Sequence, residues 1–315
     1  MKLLEMTEKD YDLIIVGSGP AGLSAAIYSA RLGLKTLVLG ETLGLASEAA
    51  IIENYPGFKK ISGFELMQKI LEQTVEAGAE VKIPEKVTEL ALEDETKKVK
   101  TEDETYTCKA VVIATGCTHR KLNVAGEEEF RGKGVSYCAT CDGPLFKGKR
   151  VAVVGGGNSA AVAALYLKDL ASKVFLIHRR GELRAEAILR RRILESGIEL
   201  ILDSEVKAIE GKNLVEKLVV VNKRTGEEKH VEVDGVFICV GEKPQSELAK
   251  KAGVLVDREG FIVVNRKQET NLKAVYAAGD VTGNVRQIGV AVGEGITAAI
   301  NAYLQLKGGW YGLKP

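Results

Sequence analysis

The sequence predicts an α/β protein of two similar units, the second inserted into the first. Three observations predict it. A glycine cluster occurs twice, strand-length apolar runs flank each copy, and a late apolar segment has no counterpart behind the second copy. Gly17 recurs at Gly155, and the offset holds without a gap from Val16/Val154 through Tyr28/Tyr166 to Glu41/Arg179. At 315 residues the chain exceeds one ordinary core and suits two domains.

In chain order, Asp12–Val16 is a short, β-branched-rich run that stops at Gly17-Ser18-Gly19-Pro20-Ala21-Gly22. An Ala-rich helical stretch follows over Leu23–Arg31, then a second apolar run at Thr36–Leu39. Arg150–Val154, Gly155-Gly156-Gly157-Asn158-Ser159-Ala160, Ala161–Leu170 and Val174–Ile177 repeat the pattern. Strand, glycine turn, helix and strand, twice over, read as two Rossmann-like dinucleotide-binding domains. Each unit then carries a buried-type strand closing at glycine, Ala110–Thr115 before Gly116 and Gly235–Val240 before Gly241. Residues 93–107 and 222–233 are charged and turn-punctuated, as exposed hairpins are. Thr270–Asp280 and a helix expected over Glu294–Leu306 have no place in the second unit and return to finish the first. The expected domains are therefore 1–117 plus 245–315, with 118–244 inserted. The two crossings, near Cys117–Leu122 and Glu242–Gln245, would act as a two-stranded hinge.

The glycines carry chemistry. Gly17 permits the tight turn, Gly19 lets backbone approach a pyrophosphate, and Gly22 lets helix and strand pack closely. The helix N-terminus then meets phosphate charge with free N–H groups. Glu41 stands where an acid accepts hydrogen bonds from ribose hydroxyls, although after Gly40 it also fits a solvated turn. In the second copy Gly155, Gly157 and Ala160 repeat the logic around Asn158 and Ser159. Here Arg179 replaces Glu41, within His178-Arg179-Arg180 and followed by Arg184. Guanidiniums grip a 2′-phosphate that a carboxylate would repel, so the first site suits an unphosphorylated adenosine and the second NADP(H). The competing reading is a basic helix start on a solvated face, since Arg190-Arg191-Arg192 is basic as well. His178 at a strand end also fits simple packing.

Between the two fingerprints lies Cys138-Ala139-Thr140-Cys141-Asp142. A Cys-x-x-Cys pair closes a small disulfide ring, and Asp142 is placed to give or take a proton as thiolate forms and leaves. Half a zinc site needs two more ligands, yet Cys108, Cys117 and Cys239 form no second pair and His119 stands alone. An inert buried pair is the third reading. The remaining cysteines sit in apolar strands as small hydrophobes.

A net charge of +1 and aromatic content of 5% recommend neither nucleic acid nor a membrane surface. No apolar run approaches the roughly 20 residues that cross a bilayer. The charged start, Met1 to Asp10, has no apolar signal core, so a cytoplasmic location is expected.

Taken together, Gly17-x-Gly19-Pro20-Ala21-Gly22, Glu53-Asn54-Tyr55-Pro56-Gly57-Phe58, Ala114-Thr115-Gly116 and Ser136-Tyr137-Cys138-Ala139-Thr140-Cys141-Asp142-Gly143 resemble the low-molecular-weight thioredoxin reductases. So do His178-Arg179-Arg180 with Arg184, Ala277-Ala278-Gly279-Asp280, Arg286-Gln287 and Gly293-Glu294-Gly295. The resemblance spans nearly the whole chain in order. It implies FAD in the first site, with Gly279 and Asp280 at its ribityl or pyrophosphate region, Arg286 and Gln287 bordering it and Asn54 near its ring. It implies NADPH in the second site, Cys141 facing the flavin, Cys138 attacking the disulfide of thioredoxin or a thioredoxin-like protein, and Asp142 as acid–base. It also implies a homodimer whose second domain rotates on the hinge. Three departures stand out: Leu43-Gly44-Leu45 for the usual Gly-Gly-Gln, Val162-Ala163 for paired glutamates, and Pro144-Leu145 for aromatics. They leave room for a sister flavoprotein fed by ferredoxin or NADH. A non-catalytic FAD- and NADP-binding protein is the reading from another class. Trp310-Tyr311 suits a flavin cap, a subunit contact or a helix end.

Overall fold

The computed structural model describes residues 9–49, 52 and 54–309. The charged start up to Glu8, Glu53 and the Trp310-Tyr311 pair lie outside the described residues. The chain packs as two compact units. One comprises residues up to 48, 55–118 and from 243 onward; the other comprises 119–242 with the short stretch around Ile52 and Asn54.

The first unit opens with β1 (Lys9–Val16), α1 (Pro20–Arg31), β2 (Thr36–Leu39), α2 (Gly63–Glu76) and β3 (Glu80–Lys82). It continues through β4 (Val87–Ala91), β5 (Lys97–Thr101) and β6 (Thr105–Ile113) to β7 (Cys117–His119). Its sheet has the order β3-β2-β1-β6-β5-β4. Leu13, Ile14, Ile15, Leu37, Val38 and Leu39 are fully buried, as central parallel strands covered on both faces must be.

The second unit holds β8 (Val135–Ser136), α3 (Ala139–Asp142), β9 (Arg150–Val154), α4 (Asn158–Lys168) and β10 (Lys173–Ile177). It runs on through α5 (Ala187–Glu195), β11 (Glu199–Ile201), β12 (Ser204–Gly211), β13 (Val215–Asn222), β14 (Glu228–Glu232) and β15 (Gly235–Ile238). Its parallel sheet is ordered β11-β10-β9-β15-β8, with β12-β13-β14 as a separate antiparallel sheet. The chain then returns through β16 (Glu242–Pro244), α6 (Glu247–Lys251), β17 (Val275–Ala277) and α7 (Ile288–Lys307). Where the chain leaves and comes back, β7 and β16 pair as a two-stranded ribbon.

Register decides where the loops emerge. Val16 pairs level with Leu39 and with Ile113, and Ala277 is level with Ile113. The turns after β1, β2, β6 and β17 therefore leave one carboxyl edge of the sheet. In the second unit Val154 is level with Ile177 and Ile238, so the turns after β9, β10 and β15 share an edge in the same way. Such edges are where open α/β sheets bind ligands. β6 is divided: its first half pairs antiparallel with β5, and its last three residues pair parallel with β17. The late segment thus completes the first sheet as the sequence implied.

Two expectations shift. The 93–107 hairpin is half-buried, because β5 alternates inward and outward and Val99 joins the core with Leu90, Tyr106 and Val254. The last helix starts at Ile288, six residues before Glu294. Gly289 and Gly293 hide its first turns from propensity, and packing supplies what propensity lacks. That packing is close: a Cβ on Gly295 would lie 2.1 Å from the Ala21 carbonyl oxygen of α1.

Gly295→Val should therefore cost about 1–3 kcal/mol of stability, because backbone cannot yield as a flexible side chain would. Gly293→Ala, on the same helix where a Cβ meets nothing within 4 Å, should be neutral or slightly stabilising. Thermal unfolding of both variants checks the contrast.

Candidate active site

The two glycine turns repeat one set of contacts. Gly17 has φ +113°, and a Cβ there would lie 2.2 Å from the Ala114 carbonyl oxygen at the end of β6. A Cβ on Gly155 would lie 2.3 Å from the Cys239 carbonyl oxygen at the end of β15. Gly22 is pressed on the Gly17 carbonyl at 1.8 Å by the same measure, and Gly155 on the Ala160 methyl at 2.8 Å. The second glycine of each turn differs: among the described residues, a Cβ on Gly19 or Gly157 meets nothing within 4 Å. Both are helix N-caps without a side-chain cap, so the first N–H groups of α1 and α4 are left for an anion. This fits a pyrophosphate in each turn.

Around the first turn, Ser18 is buried and its hydroxyl donates to the Thr42 carbonyl at 2.5 Å, which folds the loop after β2 back onto the turn. Glu41 sits exposed on that loop, 3.9 Å from the Lys86 ammonium. Ala114, Thr115 and Gly116 follow β6; Thr115 Oγ1 donates to the Gln245 carbonyl at 2.7 Å and Gln245 Nε2 returns a bond to the Thr115 carbonyl at 3.1 Å. Gly279 has φ +80°, and its N–H donates to buried Glu294 Oε2 at 2.7 Å. Asn284 Nδ2 donates to Glu294 Oε1 at 2.8 Å. Glu294 thus holds the turn that presents Asp280. Arg286 is exposed, and Gln287 is the N-cap of α7. Pro20 and Ala21 open α1, whereas Asn54 groups with the second unit.

Around the second turn, Asn158 is engaged with Glu186: its amide donates to Glu186 Oε1 and its oxygen accepts the Glu186 N–H, both at 2.9 Å. Ser159 is exposed beside it, and Ala160 is buried. The Gly156 carbonyl accepts N–H bonds from Arg184 at 2.6 Å and Ala185 at 3.1 Å, which pins the basic loop to the glycine turn. Arg180 and Arg184 line an open cleft of about 670 Å³ with Arg190 and Arg224, while Arg179 lies outside it. His178 is buried, and a Cβ on Gly156 would come within 2.2 Å of its ring, so the imidazole packs on the middle glycine. Burial, then Arg184, Arg180 and Arg179, hold its pKa below the usual range.

Cys138 and Cys141 are joined in a disulfide. Cys138 is the N-cap of α3, and its sulfur accepts the Cys141 N–H at 3.2 Å. A Cβ on Gly143 would lie 2.9 Å from the Tyr166 ring of α4, which seats this turn against the helix of the second fingerprint. Asp142 Oδ2 is 2.6 Å from the Ser136 hydroxyl, and its buried Oδ1 has no hydrogen-bond partner. Burial pushes the Asp142 carboxyl above the ordinary range, against the pull of Ser136. Of the remaining cysteines, Cys108 is buried and its thiol is pushed up to about 12 by desolvation, so it is inert.

Over residues 11–295 the chain matches the family described as pyridine nucleotide-disulphide oxidoreductase. The chain belongs to that family. It is similar to a thioredoxin reductase of Bacillus subtilis, 41% identical over 297 residues that cover 93% of each chain. It is similar in structure to the thioredoxin reductase of Streptococcus pyogenes, with a TM-score of 0.89, 39% identity and coverage of 96% and 99%. A ferredoxin-flavin thioredoxin reductase from Clostridium acetobutylicum is 37% identical, with a TM-score of 0.52 and coverage of 95% and 99%.

Within this oxidoreductase three residues of the site escaped sequence reasoning. Glu294 was visible only as part of a motif; its signal is a lone carboxylate between glycines on an otherwise apolar helix. Ser136 too was visible only as part of the motif around the cysteine pair, and Glu127 had no signal. Buried Glu127 accepts the N–H groups of Leu122 and Asn123 at 2.9 and 2.7 Å and the Tyr137 hydroxyl at 2.7 Å. It thereby braces the residue before Cys138.

A buried carboxyl with a raised pKa favours its protonated form in the folded state only. Stability from Asp142 is thus full below the ordinary carboxylate value of about 3.9 and is lost as pH rises through the raised folded value. Asp142→Asn should flatten this dependence and be no less stable than wild type at neutral pH, yet slow dithiol–disulfide exchange about 100-fold. Denaturation midpoints against pH and exchange kinetics with a small disulfide measure the two effects separately.

Proposed function

We propose that this chain is an NADPH-dependent, FAD-containing thioredoxin-disulfide reductase that works in the cytoplasm as a homodimer. The observation that carries the reading is the Cys138–Cys141 disulfide beside the buried, protonatable Asp142. It lies in a chain with two open glycine turns and relatives named thioredoxin reductase. FAD would be held by Gly17, Gly19, Pro20, Ala21, Gly22, Glu41, Asn54, Ala114, Thr115, Gly116, Gly279, Asp280, Arg286 and Gln287. NADPH would be held by Gly155, Gly157, Asn158, Ser159, Ala160, His178, Arg179, Arg180 and Arg184. When bound, the two groups supply a hydride donor and a two-electron carrier for the disulfide.

The chain's own chemistry is thiol–disulfide exchange. The Cys138 thiolate attacks one sulfur of the partner's disulfide, making a mixed disulfide and releasing a partner thiolate that takes the Asp142 proton. Cys141 loses its proton to Asp142, attacks the Cys138 sulfur, closes the ring and releases the second partner thiolate, which takes that proton or one from solvent. The partner gains two electrons and two protons; the cysteine pair supplies the electrons. The Cys141 N–H aimed at the Cys138 sulfur favours its thiolate form. The β7–β16 ribbon would serve as the joint for domain rotation, and among the described residues no helix is long and apolar enough to cross a membrane.

A ferredoxin-fed reductase is the second reading, favoured by the Clostridium acetobutylicum likeness and by Val162-Ala163. The arginine cleft argues for the phosphorylated nicotinamide donor.

Adding NADPH to purified protein should bleach the flavin absorbance, in Cys138→Ser as in wild type, while Cys138→Ser fails to turn over thioredoxin. Normal thioredoxin turnover by that variant refutes the assignment. Arg179→Ala with Arg180→Ala should raise KM for NADPH by about 10- to 100-fold and leave KM for NADH nearly unchanged. Equal effects on both would remove the phosphate argument.

A further inference from the structure

The basic cleft has a wall that the arginines after β10 do not explain. Arg224 belongs to the turn between β13 and β14, on the separate antiparallel sheet, yet it lines the cleft with Arg180 and Arg184. The reach is built. Arg224 Nε is ion-paired with Asp203 Oδ2 at 3.1 Å, the Asp203 N–H donates to the Arg180 carbonyl at 3.1 Å, and the Lys223 N–H donates to the Asp203 carbonyl at 2.6 Å. Asn222 Oδ1 accepts the N–H groups of Arg224 and Thr225 at 2.9 and 3.1 Å, which fixes the turn. A Cβ on Gly181 would lie 2.8 Å from Arg224 Nη2, so the guanidinium lies along the basic loop over a residue with no side chain.

The charges can be counted. Arg190 is paired with Glu182 and Arg224 with Asp203, which leaves Arg180 and Arg184 without an ion-pair partner among the described residues. A surplus of two positive charges suits a phosphate monoester, which carries about −1.5 to −2. Arg224 keeps its outer N–H groups for a ligand while Asp203 holds its Nε side, an arrangement that orients a planar fork.

We propose that Arg224, held by Asp203 against Gly181, is a specificity-determining residue that contacts the 2′-phosphate of the nicotinamide donor. This rests on the NADPH reading and adds a residue that reaches the phosphate from a second sheet. With it, the cleft grips the phosphate from two sides. Without it, the cleft is an open basic ledge.

The test measures binding of 2′,5′-ADP and of 5′-AMP to the holoenzyme by calorimetry, for wild type, Arg180→Gln and Arg224→Gln. Wild type should prefer 2′,5′-ADP. Arg224→Gln should weaken 2′,5′-ADP about ten-fold, the size of one charge-assisted bond, and leave 5′-AMP unchanged. A wild type that prefers 2′,5′-ADP, with the preference lost in Arg180→Gln but intact in Arg224→Gln, overturns this inference and leaves the NADPH reading standing. A wild type without preference overturns both. Equal weakening of both ligands in Arg224→Gln makes the residue structural and overturns the inference as well.

Discussion

The two glycine turns are constrained backbone against backbone. The turn after β1 presses Gly17 on the Ala114 carbonyl, and the turn after β9 presses Gly155 on the Cys239 carbonyl. No side chain fits at either point. The contact ties the turn to the far strand and so fixes the direction in which α1 and α4 begin. With that direction set, the uncapped N–H groups and the open space at Gly19 and Gly157 face the ligand side of the edge. The strand registers matter for the same reason: they bring the remaining loops to one edge at one level.

The redox turn is organised by different physics. Its geometry comes from a short helical turn capped by a sulfur, seated on α4 through Gly143 and Tyr166. Beside it a carboxylate is left short of partners. Ser136 satisfies one oxygen of Asp142 and burial leaves the other without one. Such a group costs stability when ionised, which holds its pKa above the ordinary carboxylate range. Glu127 meets the opposite condition. It is buried yet takes three hydrogen bonds, so it stabilises the approach to Cys138 rather than taking part in its chemistry.

The basic cleft combines both strategies. Its backbone is pinned to the second glycine turn through the Gly156 carbonyl, and the His178 ring fills the space that a side chain at 156 would need. Its charges are partly neutralised by Glu182 and Asp203, which position guanidiniums that would otherwise splay apart. Positioning and charge thus come from separate residues.

The amino-acid order was sufficient for the doubled strand–glycine–helix pattern, the cysteine pair and the return of the last segment to the first sheet. The first two are local: glycine turns, buried strands and a short disulfide ring are encoded by neighbours in sequence, while the return was legible only as a segment left without a counterpart. Asp142 was legible as a candidate because it follows the pair directly. Its raised pKa was not, because burial is set by residues far along the chain. The role of the middle glycine, Gly156, was not legible either, because it comes from the His178 ring packed on it. The lining of the basic cleft was hidden for a related reason: Arg190 comes from α5 and Arg224 from another sheet. Order along the chain fixed which chemistry is present; three-dimensional packing chose which copies of a residue carry it, because contacts between distant segments leave no periodicity to read.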